Sequence, residues 1–234
     1  MALKGKKAIV TGSSGALGSV VAQRFLAEGM MVAGTYRNSK ENETISGPFG
    51  ALFFPVQADV TDEPQVHHLF ESAMARMGGI DILVNTVGGY LPRTSIVDLS
   101  VADWHKMMDL NLNSTFLCTR EALRFMKKGT YGRIVNISAM GGLRPTPGRA
   151  AYAISKSAVS LLTDLAGQET KGTGITVNAI APDIIDTEAN RESMPDGNFA
   201  QWVKPEHIAD TICYLCSDSA AEITGTTIQA LGGS

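Results

Sequence analysis

A tyrosine and a lysine spaced for acid–base chemistry stand in the second half of the chain. Tyr152-Ala-Ile-Ser-Lys156 places a phenol and an ammonium at positions i and i+4, on one face of a helix. A free tyrosine has a pKa of about 10 and is a poor acid–base group at neutral pH. A cation about 4 Å away stabilises a phenolate by about 4 kcal/mol at an effective dielectric constant near 20. We therefore predict that Lys156 lowers the pKa of Tyr152 enough for proton transfer with a substrate.

A glycine-rich turn near the N-terminus is typical of a diphosphate-binding loop. It lies between an apolar run, Lys7 to Thr11, and a helical pattern that begins at about Ala16. Glycines permit a tight turn and a close approach of the backbone to the diphosphate, and the helix N-terminus offers N–H groups with a partial positive charge. The residues that we predict to hold a dinucleotide here are Gly12, Ser14, Gly15, Ala16, Leu17 and Gly18.

The end of the second apolar run distinguishes between two dinucleotides. An acidic side chain at this point would bind the ribose 2′-hydroxyl of NAD and repel a 2′-phosphate. The sequence has Tyr36-Arg37 instead, and a guanidinium suits a phosphate dianion. We therefore expect NADP(H), with NADPH favoured. NAD stays the alternative, because Arg37 could equally be a solvated side chain at the start of a loop.

Short apolar runs alternate with helical patterns along the whole chain. The spacing predicts strands over 7–11, 31–35, 51–56, 81–85, 133–138, 175–180 and 226–229, and helices over 16–28, 63–77, 101–109, 112–126, 151–170 and 207–217. Such alternation indicates βαβ units, right-handed crossovers and a parallel sheet. We predict an α/β fold in which residues 1–234 form one Rossmann-type, doubly wound domain with seven parallel strands.

Two segments lack periodicity, 38–50 and 187–204. Loops of this size in a compact domain often serve function. The second follows the C-terminal end of a predicted strand, where open α/β sheets bind ligands. We therefore predict a short substrate lid at about 187–204.

Composition excludes several classes of partner. The net charge of −3 gives no electrostatic reason to bind nucleic acid or an anionic membrane, and no apolar run is long enough to cross a bilayer. The N-terminus shows no cleavage-site pattern, so we expect a cytoplasmic protein. The three cysteines do not indicate a disulfide framework, and we expect Cys213 and Cys216 to be packed thiols on a helix. No spacing among the histidines indicates a metal site.

These motifs together resemble those of short-chain dehydrogenases/reductases over almost the full length of the chain. The matching positions are the glycine motif from Thr11 to Gly18, Asp59-Val60, Asn85-Thr-Val-Gly88, Asn111, Ser138, Tyr152, Lys156, Asn178-Ala-Ile-Ala-Pro182 and Thr187. The sequence departs from the family pattern at Ala16 and Asp183, where glycine is usual.

The resemblance implies a role for each of these residues. Tyr152 would give a proton to a substrate carbonyl or take one from an alcohol, with Ser138 hydrogen-bonded to that carbonyl. Lys156 would also hold the nicotinamide ribose, and Asn111 would hold a water that links Lys156 to solvent. The hydride chemistry belongs to the cofactor. Besides the glycine loop and Arg37, the implied cofactor contacts are Asp59, Val60, Asn85, Gly88, Lys156, Pro182, Ile184 and Thr187.

The predicted lid carries a narrower resemblance, to dihydropteridine reductases. The stretch from Asp186 to Trp202 is similar to their substrate-side loop, and Val87-Gly-Gly-Tyr90 is similar to a second segment. Two features argue against this assignment: Ser138, which those enzymes commonly lack, and Tyr36-Arg37, which replaces their usual acidic residue. The candidate substrate contacts are Tyr90, Met194, Phe199 and Trp202, which could stack on a flat heterocycle or simply pack the lid against the body.

Three functions stay open. The first is reduction of a quinonoid dihydropteridine, and the second is reduction of another carbonyl compound, such as a 3-oxoacyl thioester of acyl carrier protein. The third, from a different class, is a non-catalytic NADP(H)-binding sensor. The four catalytic residues of the family are all present, which favours an enzyme that acts on a small molecule; they are Asn111, Ser138, Tyr152 and Lys156. The family resemblance also implies a homodimer or homotetramer, with the helices predicted over 112–126 and 151–170 at an interface.

Overall fold

Seven short apolar runs form one parallel sheet in the computed structural model, which describes residues 3–37, 50–127 and 129–233. The strands are β1 (Lys7–Thr11), β2 (Met31–Tyr36), β3 (Phe53–Gln57), β4 (Ile82–Asn85), β5 (Gly132–Ile137), β6 (Ile175–Pro182) and β7 (Thr227–Ala230). Their order is β3-β2-β1-β4-β5-β6-β7, and every neighbouring pair is parallel. This confirms the predicted α/β, doubly wound fold.

The strand order reverses between β1 and β4, which is where open sheets of this type bind ligands. In register, Thr11 lies beside Asn85, and Asn85 lies beside Asn136. The carboxyl ends of three central strands therefore meet at one edge of the sheet, together with the loops that follow them.

Helices connect the strands and cover both faces of the sheet. They are α1 (Ala16–Ala27), α2 (Glu63–Met77), α3 (Val101–Met107), α4 (Ser114–Met126), α5 (Met140–Leu143), α6 (Ala150–Glu169), α7 (Glu188–Ser193) and α8 (Pro205–Leu215). A π-helical turn, Met108–Asn113, joins α3 to α4. Short 3₁₀ turns lie at Phe199–Gln201 and Asp218–Ala220.

The boundaries of α2 follow from its terminal residues. The Asp62 side chain accepts a hydrogen bond from the Gln65 backbone N–H at 3.0 Å, and Pro64 stands in the first turn. Gly78 ends the helix with φ of +70°, a conformation that costs glycine little. The predicted helix over 63–77 is confirmed.

The sheet separates two hydrophobic clusters. Ala8 and Val10 of β1 pack with Phe25 of α1 and Ile212 of α8 on one face. Ile9, between them, joins the cluster formed with α2 and α4 on the other face. This alternation along a strand with both faces buried is expected for a parallel sheet. Among the described residues, no helix combines the length and apolar character that spanning a membrane requires.

Three local features differ from the sequence-based expectations. The predicted helices over 101–109 and 112–126 form one continuous helical path through the π turn. The segment 187–204, expected to be irregular, contains α7 and a 3₁₀ turn, because the Thr187 side chain caps a short helix. Helix α5 was not predicted from the sequence. Most of the other aperiodic segment, 38–49, lies outside the described residues.

Candidate active site

The loop between β1 and α1 has the geometry of a phosphate cradle. Gly12 has φ of +64°, and its N–H donates to the Thr35 hydroxyl at 2.7 Å. A Cβ on Gly18 would lie 2.1 Å from the Gly12 carbonyl oxygen. Only glycine at position 18 therefore allows α1 to begin this close to the end of β1.

The N-terminus of α1 is the anion-binding end of this cradle. Gly15 is the residue before the helix, and no side chain caps the helix there. The first N–H groups of α1 are therefore donors that can face a diphosphate. Ser14, Ala16 and Leu17 belong to the same turn, as predicted from the sequence. This part of the structure fits the dinucleotide that the glycine spacing predicts.

The predicted adenosine end of the site lies at the carboxyl ends of β2 and β3. Arg37 follows β2, and its carbonyl accepts a hydrogen bond from the Gln57 side chain at 2.9 Å. The Asp59 carboxylate accepts two hydrogen bonds from Thr61, which lower its pKa, and the Arg37 charge lowers it further. Val60 is buried in the core, so its side chain packs inside the protein.

Asn85 and Gly88 lie at the end of β4, at the switch point. The Asn85 amide donates to the Asn136 side chain at 2.9 Å, which joins β4 to β5 inside the protein. A Cβ on Gly88 would lie 2.9 Å from both the Lys156 ammonium and the Asn111 side-chain oxygen. Gly88 therefore leaves room for these two polar groups to approach the loop.

The Asn111 side chain ties this loop to α6. Its Oδ1 accepts from the Gly89 N–H at 2.9 Å, and its amide donates to the Gly89 carbonyl at 3.0 Å and to the Ser155 hydroxyl at 3.1 Å. The side chain is fully buried and directed by the π turn. These contacts make Asn111 a positioning residue for the loop after β4.

Lys156 is buried beside the same loop. Its ammonium donates to the Ile137 carbonyl at 2.8 Å, at the end of β5. Burial lowers the pKa of Lys156 from 10.5 to about 8. The cation is therefore held by the main chain of the sheet, and it loses its proton at a lower pH than a free lysine does.

Tyr152 stands one turn before Lys156 on α6, with its ring against Gly141. Burial raises the pKa of Tyr152, while the charge of Arg149 lowers it by less. The Lys156 ammonium is turned toward the Ile137 carbonyl, and the lowering of the Tyr152 pKa by Lys156 stays a prediction. Tyr152 is a protonated phenol at neutral pH.

The Ser138 hydroxyl is directed into the protein. It donates to the Lys156 carbonyl at 2.8 Å and lies 2.7 Å from the Ser160 hydroxyl. The residue is almost completely buried. Both partners of the hydroxyl lie on α6, the helix that carries Tyr152, and the contact between Ser138 and a substrate carbonyl stays a prediction.

A cavity of about 210 Å³ opens beside Tyr152. Its walls come from the loop after β4, from α3 and from the start of α6. The lining side chains are mostly apolar, and the charged exceptions are Asp103 and Arg149. Tyr90, half exposed, lies next to this cavity with its ring 5.4 Å from the Arg149 guanidinium carbon.

The lid is held to the body at its two ends. Ile185 and Val203 form a parallel bridge, and the Asn190 amide donates to the Ile185 carbonyl at 2.8 Å. Arg191 forms a bidentate ion pair with Asp186, at 2.6 and 2.8 Å, which lowers the pKa of that carboxyl. Pro182, at the end of β6, and Ile184 lead into this closure.

The lid aromatics pack on one another. The rings of Phe199 and Trp202 meet edge to face with centroids 4.7 Å apart, and the Arg191 guanidinium carbon lies 4.9 Å from the Phe199 ring. Trp202 is buried, while Phe199 and Met194 are partly exposed. The Trp202 ring thus packs within the lid, against Phe199 and Gly197, and its role as a substrate contact stays a prediction. The Thr187 hydroxyl caps α7 by accepting the Asn190 N–H at 3.2 Å.

Metal and thiol chemistry find no support in the described part of the chain. No group of three or more His, Cys, Asp or Glu side chains there could hold a metal ion. Cys213 and Cys216 are free and buried on or next to α8, as expected for packed thiols.

Sequence reasoning did not identify Arg149 or Thr35. The Thr35 hydroxyl accepts a hydrogen bond from the Gly12 N–H, and the charge of Arg149 lowers the pKa of Tyr152. A signal for Arg149 was present in the sequence, because it stands three residues before Tyr152 and thus one helical turn away. The role of Thr35 depends on the pairing of β1 with β2 and has no local signature.

Comparison with known proteins places this site in a family. A family model described as enoyl-(acyl carrier protein) reductase matches residues 12–234. The chain is 37 % identical to 3beta-hydroxysteroid dehydrogenase 1 of Eggerthella lenta, over 99 % of this chain and 94 % of that protein. It is 35 % identical to a 3-oxoacyl-[acyl-carrier-protein] reductase of Synechocystis, over 99 % and 98 % of the two chains.

The fold comparison agrees. The structure of ElxO with NADP bound superposes with a TM-score of 0.91 at 30 % sequence identity, covering 97 % of this chain and 98 % of that one. Family model, relatives and structure extend over nearly the whole chain, including the glycine cradle and the Tyr152–Lys156 helix. The chain therefore belongs to the short-chain dehydrogenase/reductase family of NAD(P)-dependent oxidoreductases.

Proposed function

We propose that the protein is an NADPH-dependent reductase that converts a carbonyl compound to an alcohol, with Tyr152 as the proton donor. The observation that carries this proposal is the position of Tyr152, a partly buried phenol on the wall of a cavity of about 210 Å³ beside the switch point. The phenol is protonated at neutral pH, as any tyrosine with an ordinary or raised pKa is, and so it is in the form that can give a proton to a carbonyl oxygen.

Each polar residue then has a defined task. Tyr152 gives its proton to the carbonyl oxygen. Asn111 holds the loop after β4 in place through Gly89, and Lys156 lies beside the same loop, tied to the Ile137 carbonyl. The hydride is the chemistry that the nicotinamide supplies when bound.

NADP(H) is the proposed cofactor. The cradle at Gly12 and Gly18 fits a diphosphate, and Arg37 stands at the end of β2, where a 2′-phosphate would be read. The NADP in the ElxO structure supports the same choice. Arg37→Asp should lower kcat/KM for NADPH and raise it for NADH. An unchanged ratio of the two would show that Arg37 does not read the phosphate.

The substrate has two candidate classes. Ketones and 3-oxoacyl thioesters are favoured by the mostly apolar cavity and by relatives named as reductases of acyl thioesters. A quinonoid dihydropteridine is the second candidate, because the Ser138 hydroxyl is engaged with Ser160, so that Tyr152 would act without a serine partner. Trp202, one of the side chains proposed to stack on the pterin ring, is buried, and this argues against the second candidate.

Oxidation of NADPH, with NADH in parallel, tests the proposal against an acetoacetyl thioester, simple ketones and quinonoid dihydropterin. Turnover of ketone or thioester alone would support carbonyl reduction, and turnover of the pterin alone would support the second candidate. Binding of NADPH without turnover of any compound would support a non-catalytic sensor.

Tyr152→Phe is the matched variant for this assay. It removes only the phenolic oxygen, so NADPH binding should be retained while turnover is lost at least a thousandfold. Substantial remaining turnover would exclude Tyr152 as the acid.

The wider organisation is proposed on the same basis. Residues 1–234 form one cofactor-binding domain with a lid over about 187–204, and the protein works in the cytoplasm on a small molecule. A homodimer or homotetramer is proposed through α4 and α6. Exposed apolar side chains on these helices, Phe116, Ile154, Leu161 and Leu165, support that arrangement.

A further inference from the structure

Arg149 occupies a position that a cation does not favour. It is the residue immediately before α6, a helix of 20 residues, and no side chain caps the helix there. The helix dipole places a partial positive charge at this end, so a guanidinium is repelled and an acidic or hydroxyl side chain would be more stable. Arg149 therefore does not stabilise the fold through its place on α6.

In the described part of the chain no acidic side chain forms an ion pair with this charge. The Arg149 guanidinium carbon lies 5.4 Å from the centroid of the Tyr90 ring. The side chain is only partly exposed. The contact with Tyr90 orients the guanidinium and leaves its N–H donors available.

The cavity beside Tyr152 has one cationic wall. Leu91, Pro92, Leu99 and Met107 supply its apolar surface, together with backbone from 148–151. Asp103 is the carboxylate among its described lining residues, and it accepts a hydrogen bond from the Ser100 hydroxyl at 2.9 Å in the first turn of α3. The Asp103 carboxylate is thus engaged at the α3 N-terminus, whereas Arg149, also a lining residue, has no ion-pair partner among the described residues.

We propose that Arg149 binds a carboxylate of the substrate, so that the preferred substrates are carbonyl compounds with an alkyl body and a nearby acid group. The inference rests on the proposed function, since it concerns the cavity beside Tyr152. A guanidinium binds a carboxylate with two parallel hydrogen bonds, which would orient the neighbouring carbonyl toward the phenol. The apolar walls would take the alkyl part.

The test compares oxo acids with their methyl esters. The probes are 2-oxohexanoate, 4-oxohexanoate and 5-oxohexanoate, each with its ester, assayed with NADPH at low salt. We expect kcat/KM for the best acid to exceed that for its ester at least tenfold, mainly through KM. The ratio should fall toward one in Arg149→Gln and be kept in part in Arg149→Lys.

Two controls separate charge from general damage. Arg144→Gln removes an exposed guanidinium of the same connection, whose recorded partner is the Gln229 side chain at 3.4 Å, and should keep the acid-to-ester ratio. In wild type, added NaCl should lower the ratio, because the pairing is ionic. This salt measurement tests the inference even if Arg149→Gln does not fold.

The outcomes are distinct. Equal reduction of acids and esters by wild type, or an equal loss of both in Arg149→Gln, would overturn the role of Arg149 and leave the carbonyl reductase in place. Reduction of quinonoid dihydropterin with no reduction of any oxo acid, ester, ketone or thioester would overturn the proposed function and this inference together.

Discussion

Lys156 shows at the scale of one residue how burial changes the chemistry that a sequence spacing indicates. The i, i+4 spacing with Tyr152 was predicted correctly, since both lie on α6. The ammonium is nevertheless directed to the Ile137 carbonyl, and its pKa is lowered to about 8 by burial. A lowered lysine pKa means that the charged form destabilises the folded state.

Lys156→Met should therefore stabilise the protein while it damages the site. Between about pH 8 and 10.5 the unfolded chain binds more protons than the folded one, so wild-type stability rises with pH across this window. Below pH 8 the variant should gain about 2 kcal/mol, after about 1 kcal/mol for the lost hydrogen bond. The gain should shrink as the pH rises above 8 and turn into a loss of about 1 kcal/mol above pH 10.5, where only the lost hydrogen bond counts. Urea unfolding at several pH values measures it.

The exposed Lys171 provides the control for that experiment. Lys171→Met should change the free energy of unfolding by less than about 0.5 kcal/mol at every pH. A Lys156→Met effect that does not vary with pH would show that packing, rather than the buried charge, is responsible.

Ser138→Ala tests whether the buried hydroxyl is structural. Its loss should cost about 1–2 kcal/mol of unfolding free energy, because the Ser160 hydroxyl and Lys156 carbonyl lose a partner. We expect kcat to fall less than tenfold, and Ser160→Ala to cause a similar loss of stability. A fall in kcat above a hundredfold, with Tm and NADPH affinity unchanged, would instead make Ser138 a catalytic residue.

Residue types and spacing thus predicted the position of Tyr152 and Lys156 but not the direction of every side chain. The outward or inward direction of Ser138 depends on the contact of β5 with α6, which no local pattern encodes. Arg149 was missed for a different reason. Its position one helical turn from Tyr152 follows from the sequence spacing, but the cavity that both residues line is formed by segments distant in the sequence.

At the scale of elements, the glycine cradle and the π turn place the polar groups. The π turn between α3 and α4 points Asn111 at Gly89 and Ser155. Such turns are rare and often occur at functional sites. The cradle, in contrast, is encoded locally, because only glycine fits at position 18.

Gly18→Ala should prevent the close approach of α1 to the loop. The added Cβ would meet the Gly12 carbonyl oxygen at 2.1 Å, a backbone atom that cannot move without shifting the cradle. We expect the Kd for NADPH to rise at least tenfold in a fluorescence titration, with a lower Tm. Gly129→Ala, whose Cβ would be 3.6 Å from its nearest neighbour, should leave both values near wild type. Equal effects in the two variants would contradict the steric explanation.

Element prediction succeeded where a boundary is set by its own residues. Asp62, Pro64 and Gly78 bound α2, and the structure confirms both ends. The prediction was less accurate where tertiary contacts determine whether a segment is helical and where it ends. Helix α7 was missed because its cap, Thr187, stands in a polar stretch without apolar periodicity, and the π turn was missed because its bonds serve the packing of Asn111.

At the scale of the whole molecule, the proposed cofactor and catalytic residues lie at one edge of the sheet. The switch point between β1 and β4 brings the glycine cradle next to the loop that Asn111 holds and Lys156 borders. The alternation of apolar runs with helical patterns was sufficient to predict this topology, since crossover handedness leaves few alternatives. No comparable rule predicts how copies of the chain assemble, because assembly depends on which side chains are exposed on the folded surface.

The surface of α6 carries the strongest argument for assembly. Ile154, Leu161 and Leu165 are 48 %, 60 % and 49 % exposed and recur at helical spacing, so they form one apolar stripe. Leu161→Glu would place a charge in the middle of this stripe. We expect a wild-type dimer or tetramer to become a monomer by size-exclusion chromatography with light scattering. Val97→Glu, at a site 91 % exposed outside α6, should leave the mass unchanged. If both variants keep the wild-type mass, the interface does not use this stripe, and the apolar residues of α6 have another partner.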